Sequence, residues 1–331
     1  MRTGLSTLVV VGLAVASAEL AIDASTIDYE FVNFVATYGR SYTTKDEYLV
    51  RRANFEAQYR IIEEHNAKPN ISYWLGPNKF MDLSDDEFTA YFTGDSGAPE
   101  PEREEPVEDP LKCVAPVDWR ELGAVGLVKD QGKCGSCWAF STVGPVEEMY
   151  AIKYGRQVVL SEQQVVDCSW DYGNDGCGGG LFAQGYQYVQ DHGLEEAADY
   201  PYNAVDGVCF YDSGKARVQV QGIESAARTP SGLKGLLIEG PASISLHASD
   251  PTFRNYKSGI YDNRDCPTTV NHAVQTVGWE QDLDAGMNYF IVRNSWGQSW
   301  GDHGYIKIAQ TNQTLGICGM LYRVPMQPII A

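Results

Sequence analysis

The chain has 331 residues, of which 44 are acidic and 25 basic, so its formal net charge at pH 7 is −19. Nucleic-acid binding needs clustered Lys and Arg to neutralise phosphates, and this charge argues against it. The composition, 44% hydrophobic against 21% charged residues, provides enough apolar surface for a folded core and argues against intrinsic disorder. At about 150 residues per domain, the length predicts about two folded units.

The only long apolar run lies at the N-terminus. Arg2 precedes the largely apolar residues 8–16, which are followed by Ser17 and Ala18. This run is too short to span a bilayer, and a basic residue, a short apolar core and a small-residue ending are typical of a secretory signal peptide. We therefore predict a signal peptide over residues 1–18, no membrane anchor, and a destination outside the cell or in a lysosome or vacuole. A buried N-terminal strand is the less favoured alternative.

The chain divides at an acidic, proline-rich segment. Residues 99–110 contain four prolines and six acidic side chains, which is typical of a solvated linker because such a sequence holds neither a helix nor a packed core. Before it, apolar residues recur every three, four and seven positions and predict two amphipathic helices between Thr26 and Asn66.

The longer part of the chain, after the linker, changes character along its length. A helical pattern over Trp138–Lys153 is followed by short apolar runs bounded by Gly and Pro, which predict strands. These predicted strands cover residues 242–246, 273–277, 289–292 and 305–308. The pattern predicts an α+β fold with a helix-rich lobe over about 113–216 and a β-rich lobe over about 217–331.

One cysteine lies where a glycine-containing loop precedes the helical pattern. The partial positive charge at a helix N-terminus favours the nucleophilic thiolate form of Cys137. Acyl transfer also needs a base, a group that orients the base, and donors for the developing oxyanion. His272 and Asn294, further along the chain, are candidates for the base and the orienting group.

Cys134 and Cys137 also have the C-x-x-C spacing of a dithiol oxidoreductase. That alternative predicts a preceding βαβ strand and gives no role to His272 or Asn294, so it is less favoured. A structural zinc site would need a second ligand pair at suitable spacing, which the sequence lacks. We expect neither a metal nor another cofactor.

The segments Cys134–Trp138 and Asn294–Gly301 resemble the papain-like cysteine peptidases, and the similarity covers nearly the whole chain. The resemblance implies a two-lobed fold, with a helical lobe, an antiparallel barrel-like β lobe and the active site in the cleft between them. It also implies that Cys137 is the nucleophile, His272 the general base and then acid, and Asn294 the side chain that fixes the imidazole.

The same resemblance assigns two supporting residues. Gln131 completes the oxyanion hole with the backbone N–H of Cys137, and Trp296 shields the hydrogen bond between Asn294 and His272 from water. It further implies three disulfide pairs and leaves Cys113 as a free thiol, an intermolecular bridge or a residue lost on processing. These pairs are Cys134–Cys177, Cys168–Cys209 and Cys266–Cys318.

The N-terminal part resembles the inhibitory propeptides of cathepsin L-like members. One matching signature has a single departure, Gln58 in place of Asn, and a second, Gly76–Asp82, has none. The matching residues of the first are Glu47, Arg51, Phe55, Ile62 and Asn66. The resemblance implies that residues 19–112 are a propeptide that crosses the cleft in the opposite direction to substrate. Because the segment is rich in carboxylates, we expect faster self-activation at pH 4.5 than at pH 7.

Substrate contacts follow from the resemblance alone. Glycines after Cys177 would let the substrate backbone pair, and apolar residues would line the pocket for the second residue before the scissile bond. The positions implied are Gly179, Gly180, Leu181, Phe182, Ser245, Ala273 and Trp296. Arg323 aligns with the pocket floor, although the register can slip by one. If it reaches the floor, an acidic or polar side chain is accepted there, and peptides with Leu, Phe or Glu distinguish the alternatives.

We therefore predict a monomeric cysteine endopeptidase, made as a zymogen, that acts on proteins or peptides and is inhibited by its own propeptide. A catalytically silent inhibitor or binding protein of the same fold is the alternative, and exopeptidase activity stays open. Asn70 and Asn312 are glycosylation sequons. Pro145 lies in the helix after Cys137 and predicts a kink there, with the first turn preserved.

Overall fold

The computed structural model describes residues 23–95 and 115–331. The predicted signal peptide, the linker 99–110 and Cys113 lie outside these residues. The chain divides into two compact units, one ending at Arg40 and the other comprising Ser41–Ala331. Within the described part, no helix is both long and apolar enough to cross a membrane.

The first unit contains helix α1 (Ala24–Thr37). Asp23 caps it, because its carboxylate accepts hydrogen bonds from the backbone N–H groups of Ser25 and Thr26. These bonds satisfy donors that have no partner within the helix.

The second unit begins with the rest of the N-terminal region: helix α2 (Lys45–Asn66), strand β1 (Tyr73–Leu75) and helix α3 (Asp85–Phe92). Together, α1 and α2 confirm the two predicted helices. Helix α3 was not predicted; it begins with a reciprocal capping box between Ser84 and Glu87.

The helical lobe contains the short strand β2 (Val117–Asp118) and three helices: α4 (Cys137–Tyr154), α5 (Glu162–Cys168) and α6 (Phe182–His192). Most of α4 is buried, including charged residues such as Glu147 and Glu148. It is therefore the central helix of the lobe.

The second lobe is built on one open sheet. In chain order its elements are β3 (Val220–Ser225), α7 (Pro230–Leu237), β4 (Ala242–Leu246), α8 (Pro251–Arg254), β5 (Tyr256–Tyr261), β6 (His272–Asp282), β7 (Met287–Arg293), β8 (Tyr305–Ala309) and β9 (Met326–Ile330). The strand order is β1-β5-β8-β7-β6-β4-β9-β3, and β2 pairs with β6. All pairs are antiparallel except β5 with β8. The α+β prediction and the four predicted strands are confirmed.

Pro145 does not interrupt α4, which continues as one helix from Cys137 to Tyr154. Proline has no N–H, so the carbonyl of Ser141, one turn earlier, loses its helical donor. The hydroxyl of Ser243 on β4 donates to that carbonyl over 2.5 Å, and the hydroxyl of Ser141 donates to the carbonyl of Val274 on β6 over 2.7 Å. The sheet therefore supplies the hydrogen bond that the proline removes.

Three disulfides join the pairs that the family resemblance implies. They are Cys134–Cys177, Cys168–Cys209 and Cys266–Cys318, with Cα separations of 4.7, 4.9 and 4.9 Å. These separations are ordinary for disulfides. Among the described cysteines only Cys137 is free.

Candidate active site

The free cysteine lies where the two lobes meet. Cys137 is the first residue of α4 and is fully buried. Its Sγ accepts a hydrogen bond of 3.4 Å from the backbone N–H of Ala273 on β6. Because Ala273 directly follows His272, the fold brings the predicted nucleophile and the predicted base together across the cleft.

The imidazole of His272 is fixed on one side. Its Nε2 lies 2.8 Å from Oδ1 of Asn294, the residue that follows β7. An amide oxygen only accepts, so this contact assigns the proton to Nε2 and leaves Nδ1 as the basic nitrogen. Within the described residues, the buried Nδ1 has no hydrogen-bond partner. The ring of Trp296 stacks on the imidazole with a centroid separation of 4.7 Å.

Gln131 lies in the loop before α4 and is fully buried. Its Nε2 donates to the carbonyl of Cys134 over 2.9 Å, and its Oε1 accepts from the hydroxyl of Ser295 over 2.6 Å. These bonds hold its amide in place beside the loop that carries the nucleophile. Its role in an oxyanion hole stays a prediction.

The N-terminal region crosses this cleft. The indole N–H of Trp296 donates to the carbonyl of Phe92 over 2.9 Å, at the end of α3. Two residues on, the N–H of Gly180 donates to the carbonyl of Gly94 over 2.8 Å. Asp95 forms an isolated parallel β-bridge with Gly180. Residues 92–95 therefore form a cleft segment that covers the candidate site.

The backbone of the cleft segment approaches the backbone of Gly135 and Gly179 closely. A Cβ atom on Gly94 would lie 1.9 Å from the carbonyl oxygen of Gly135, and one on Gly179 would lie 2.9 Å from the carbonyl oxygen of Gly94. Gly179 also has a φ of +126°, which side chains disfavour. Glycine is thus required both at position 94 in the cleft segment and at position 179 facing it.

Among the residues assigned to the substrate pocket, Leu181, Phe182 and Ala273 are buried. Ser245 lies on β4, and its hydroxyl donates to the carboxylate of Asp95 over 2.5 Å. Arg323 is 2% exposed at its side chain and forms a salt bridge with the same carboxylate. The structure thus brings Ser245 and Arg323 together around one side chain of the cleft segment.

Burial shifts both titratable groups of the candidate pair. It raises the pKa of Cys137 to about 12 and lowers the pKa of His272 to about 4. Both shifts favour the neutral forms, a thiol and an imidazole. Under the cleft segment, burial therefore outweighs the helix N-terminus that was expected to favour a thiolate.

Helix α3 anchors the cleft segment on an aromatic cluster. The rings of Phe80 and Phe88 meet the indole of Trp296 edge-on, with centroids 5.2 and 5.3 Å away. Beneath them, Arg254 donates to the carbonyls of Phe80 and Leu83 over 3.2 Å each. The sequence analysis missed α3 and its packing against Trp296. The Ser84-x-x-Glu87 pattern is typical of a helix start and could have located this helix.

The propeptide-like signature residues connect α2 to its neighbours. Arg51 donates to the carboxylate of Glu87 on α3 over 2.7 Å. The side-chain amide of Asn66 donates to the carbonyl of Leu75 on β1 over 2.9 Å and accepts from its N–H over 3.0 Å. Gln58, the one departure from the signature, accepts from the amide of Asn255 over 2.7 Å. The longer side chain therefore still makes a buried contact with the β lobe.

The Arg51–Glu87 contact makes part of this region sensitive to pH. Arg51 holds the pKa of Glu87 down to about 2. A depressed carboxyl pKa stabilises the fold above the unfolded value of about 4.3, and this stabilisation is lost as the pH falls towards the folded value. Most of this stabilisation remains at pH 4.5. Faster self-activation at that pH would therefore have to come from protonation of other carboxylates.

We expect Glu87→Gln to lower the melting temperature at pH 7 by about 1–2 °C, the size expected for ~1 kcal/mol in a chain of this length. The difference from the parent should shrink below about pH 4. Thermal unfolding between pH 7 and 2 measures this difference in melting temperature. Both proteins carry Cys137→Ser, which prevents self-cleavage. Glu64→Gln, an exposed change on α2, is the control, and a difference already absent at pH 5 would contradict the assignment.

Comparison with known families agrees with this geometry. Residues 114–326 match the papain family cysteine protease model, and residues 31–88 match the cathepsin propeptide inhibitor domain (I29). The chain belongs to the papain family of cysteine proteases. It combines the protease domain with the inhibitor domain of a zymogen.

Relatives of this papain-family protease span most of its length. Digestive cysteine proteinase 2 of Homarus americanus is 39% identical over 312 residues, covering 90% of this chain and 94% of the relative. A cathepsin L-like proteinase of Fasciola hepatica is 39% identical over 300 residues, covering 87% of this chain and 90% of the relative. Like them, the chain is a cysteine endopeptidase with a propeptide.

Solved precursors share the fold of this papain-family protease. A recombinant stem bromelain precursor has a TM-score of 0.83 at 34% identity, covering 91% of this chain and 98% of its own. Digestive procathepsin L 3 from the larval midgut of Tenebrio molitor has a TM-score of 0.81 at 34% identity, with the same coverage. The papain-like fold expected from the sequence is confirmed.

Proposed function

We propose that Cys137, His272 and Asn294 perform peptide-bond hydrolysis in this protease. The observation that supports the assignment best is their convergence: Ala273 donates to Sγ of Cys137, and Asn294 accepts from the imidazole of the adjacent His272. This leaves Nδ1 of His272 as the basic nitrogen. A nucleophile, a base and an orienting group are thus present in the required order.

In the proposed reaction, His272 takes the proton of the Cys137 thiol, and the sulfur attacks the peptide carbonyl carbon. Backbone N–H of Cys137 and the amide of Gln131 stabilise the oxyanion that forms. As the C–N bond breaks, the His272 imidazolium gives its proton to the leaving amine, which leaves a thioester on Cys137. Water, deprotonated by His272, then attacks the thioester carbon. The C–S bond breaks, the acid product leaves, and the Cys137 sulfur regains a proton from the His272 imidazolium. Trp296 keeps bulk water from the Asn294–His272 hydrogen bond.

We propose residues 19–112 as the inhibitory propeptide and 113–331 as the mature protease. The cleft segment supports this division, because residues 92–95 cover Cys137 and their carbonyls accept from the backbone N–H of Gly180 and the indole N–H of Trp296. Their bridge to Gly180 is parallel. A substrate that pairs antiparallel with Gly180 runs in the opposite direction to the propeptide. The propeptide therefore does not present its own peptide bond to the nucleophile.

We also propose that the chain enters the secretory pathway through a signal peptide over residues 1–18. Three disulfides suit an oxidising compartment. The sequon residues Asn70 and Asn312 are both exposed, which is compatible with glycosylation at either site. Proteins or peptides met outside the cell or in a lysosome or vacuole are the proposed substrates.

Labelling with an epoxysuccinyl thiol reagent tests the assignment of the nucleophile. After propeptide removal, the wild-type chain should take up one label per molecule and lose its peptidase activity. Cys137→Ser should take up none. Cys113→Ser is the matched control, because it removes the other cysteine outside the three pairs and should leave labelling and activity unchanged. Labelling that persists in Cys137→Ser would contradict the assignment, and a labelled wild type without peptidase activity would favour a silent binding protein.

A further inference from the structure

One carboxylate of the propeptide is fully buried in the cleft. The side chain of Asp95 is 1% exposed and accepts hydrogen bonds from Arg323 and Ser245. Nε of Arg323 donates to its Oδ2 over 2.8 Å, Nη2 of the same guanidinium donates to its Oδ1, and the hydroxyl of Ser245 donates to Oδ2 over 2.5 Å. We call Arg323 and Ser245 the carboxylate pocket.

This arrangement is specific for a carboxylate. A buried carboxylate is strongly destabilising unless several donors are already placed around it. The planar fork of a guanidinium matches both oxygens at once, which an amide or an alkyl side chain does not reproduce. Arg323 itself is 2% exposed, so its position is set by the protein and not by a mobile surface chain.

The pocket opens beside the reacting atoms. The backbone N–H groups of Gly94 and Asp95 both donate over 3.0 Å to the carbonyl of Asn271, which precedes the base His272. On the other side, Gly180 donates to the carbonyl of Gly94 over 2.8 Å. A substrate whose carbonyl reaches Cys137 must use the same stretch of cleft, with one of its side chains at the place of Asp95.

When the propeptide leaves, Asp95 leaves with it, whereas Arg323 and Ser245 belong to the protease. The carboxylate that these donors bind in the zymogen is then removed. We propose that the mature protease selects substrates that carry Asp or Glu at the position facing Arg323, and that Asp95 occupies this pocket as an internal mimic of such a side chain. The inference rests on the proposed peptidase function.

Paired peptides test this preference. In otherwise neutral peptides a single Glu, or Gln as its uncharged match, is placed in turn at each position on either side of the cleaved bond. At one position, kcat/KM should be greater for Glu than for Gln by about 10-fold or more, the range of charge-assisted hydrogen bonds. Ser245→Ala, which removes one donor, should lower this ratio, and Arg323→Met should abolish it. Arg264→Met, at an arginine that is 66% exposed, is the matched control and should leave the ratio unchanged.

The zymogen provides a second measurement. Asp95→Asn removes the charge but keeps the size of the side chain, so it should speed labelling of Cys137 in the intact chain. Equal kcat/KM for Glu and Gln at every position would overturn the inference while leaving the peptidase assignment intact. No hydrolysis of any peptide by the activated chain would contradict the peptidase assignment itself, and the inference with it. A Glu preference that survives in Arg323→Met would also overturn the inference, since another group would then be responsible.

Discussion

Gly94→Ala is expected to release the protease from inhibition without cleavage of the chain. The added Cβ would lie 1.9 Å from the backbone oxygen of Gly135, a distance that no side-chain movement can relieve. The cleft segment must therefore shift away from Cys137. Overpacking of this kind costs about 1–3 kcal/mol, so the population of open zymogen should increase by about 5- to 150-fold.

The rate at which an epoxysuccinyl reagent labels the intact chain measures this opening. Gly235→Ala on α7 is the matched control, since the same added Cβ would have no atom within 4 Å outside its own helix and neighbours. Gly235→Ala should label as slowly as wild type. If Gly94→Ala also labels at the wild-type rate, the cleft segment is not the barrier.

Asn294→Ala is expected to lower kcat/KM of the activated protease by about 10²-fold, the loss typical of a misplaced catalytic group. The 2.8 Å contact with Nε2 orients the imidazole of His272. The same hydrogen bond raises the pKa of His272, so its loss lowers that pKa. The base that accepts the thiol proton is then protonated only at a lower pH, so the acidic limb of the pH–rate profile should move to lower pH.

A pH–rate profile of kcat/KM for a neutral peptide measures both effects. Asn288→Ala makes the same chemical change on β7, near the end of the strand away from Asn294, and should leave both the rate and the profile unchanged. A fall in rate without a shift of the acidic limb would indicate loss of structure and not loss of an oriented imidazole.

Regular elements were the easiest part of this molecule to predict. The run Ala242–Leu246 coincides with β4, and the other three predicted strands lie inside β6, β7 and β8. Each is an apolar run of ordinary strand length bounded by Gly or Pro, so local pattern was sufficient. Helix α3 has only eight residues, too few for its periodicity to stand out, and only its capping box gave a signal.

The site depended on more than local pattern. Residue types suggested Cys137, His272 and Asn294. Their contact depends on the pairing of β6 with β7 and on the packing of α4 against β6, which sequence spacing does not encode. The family resemblance was needed to assign their roles. Asp95 was overlooked because it lies near an acidic segment, where carboxylates are normally solvated. Only the three-dimensional path of the cleft segment reveals that this carboxylate is buried against Arg323 and Ser245.

Pro145 makes one main-chain carbonyl of the central helix depend on the other lobe. The carbonyl of Ser141 loses its helical donor to the proline and accepts from the Ser243 hydroxyl instead. Loss of that hydroxyl would leave a buried carbonyl without a donor, a defect of about 1–3 kcal/mol. Positions 145 and 243 are therefore energetically coupled, and removing the Ser243 hydroxyl should cost less in a chain that has no proline at position 145.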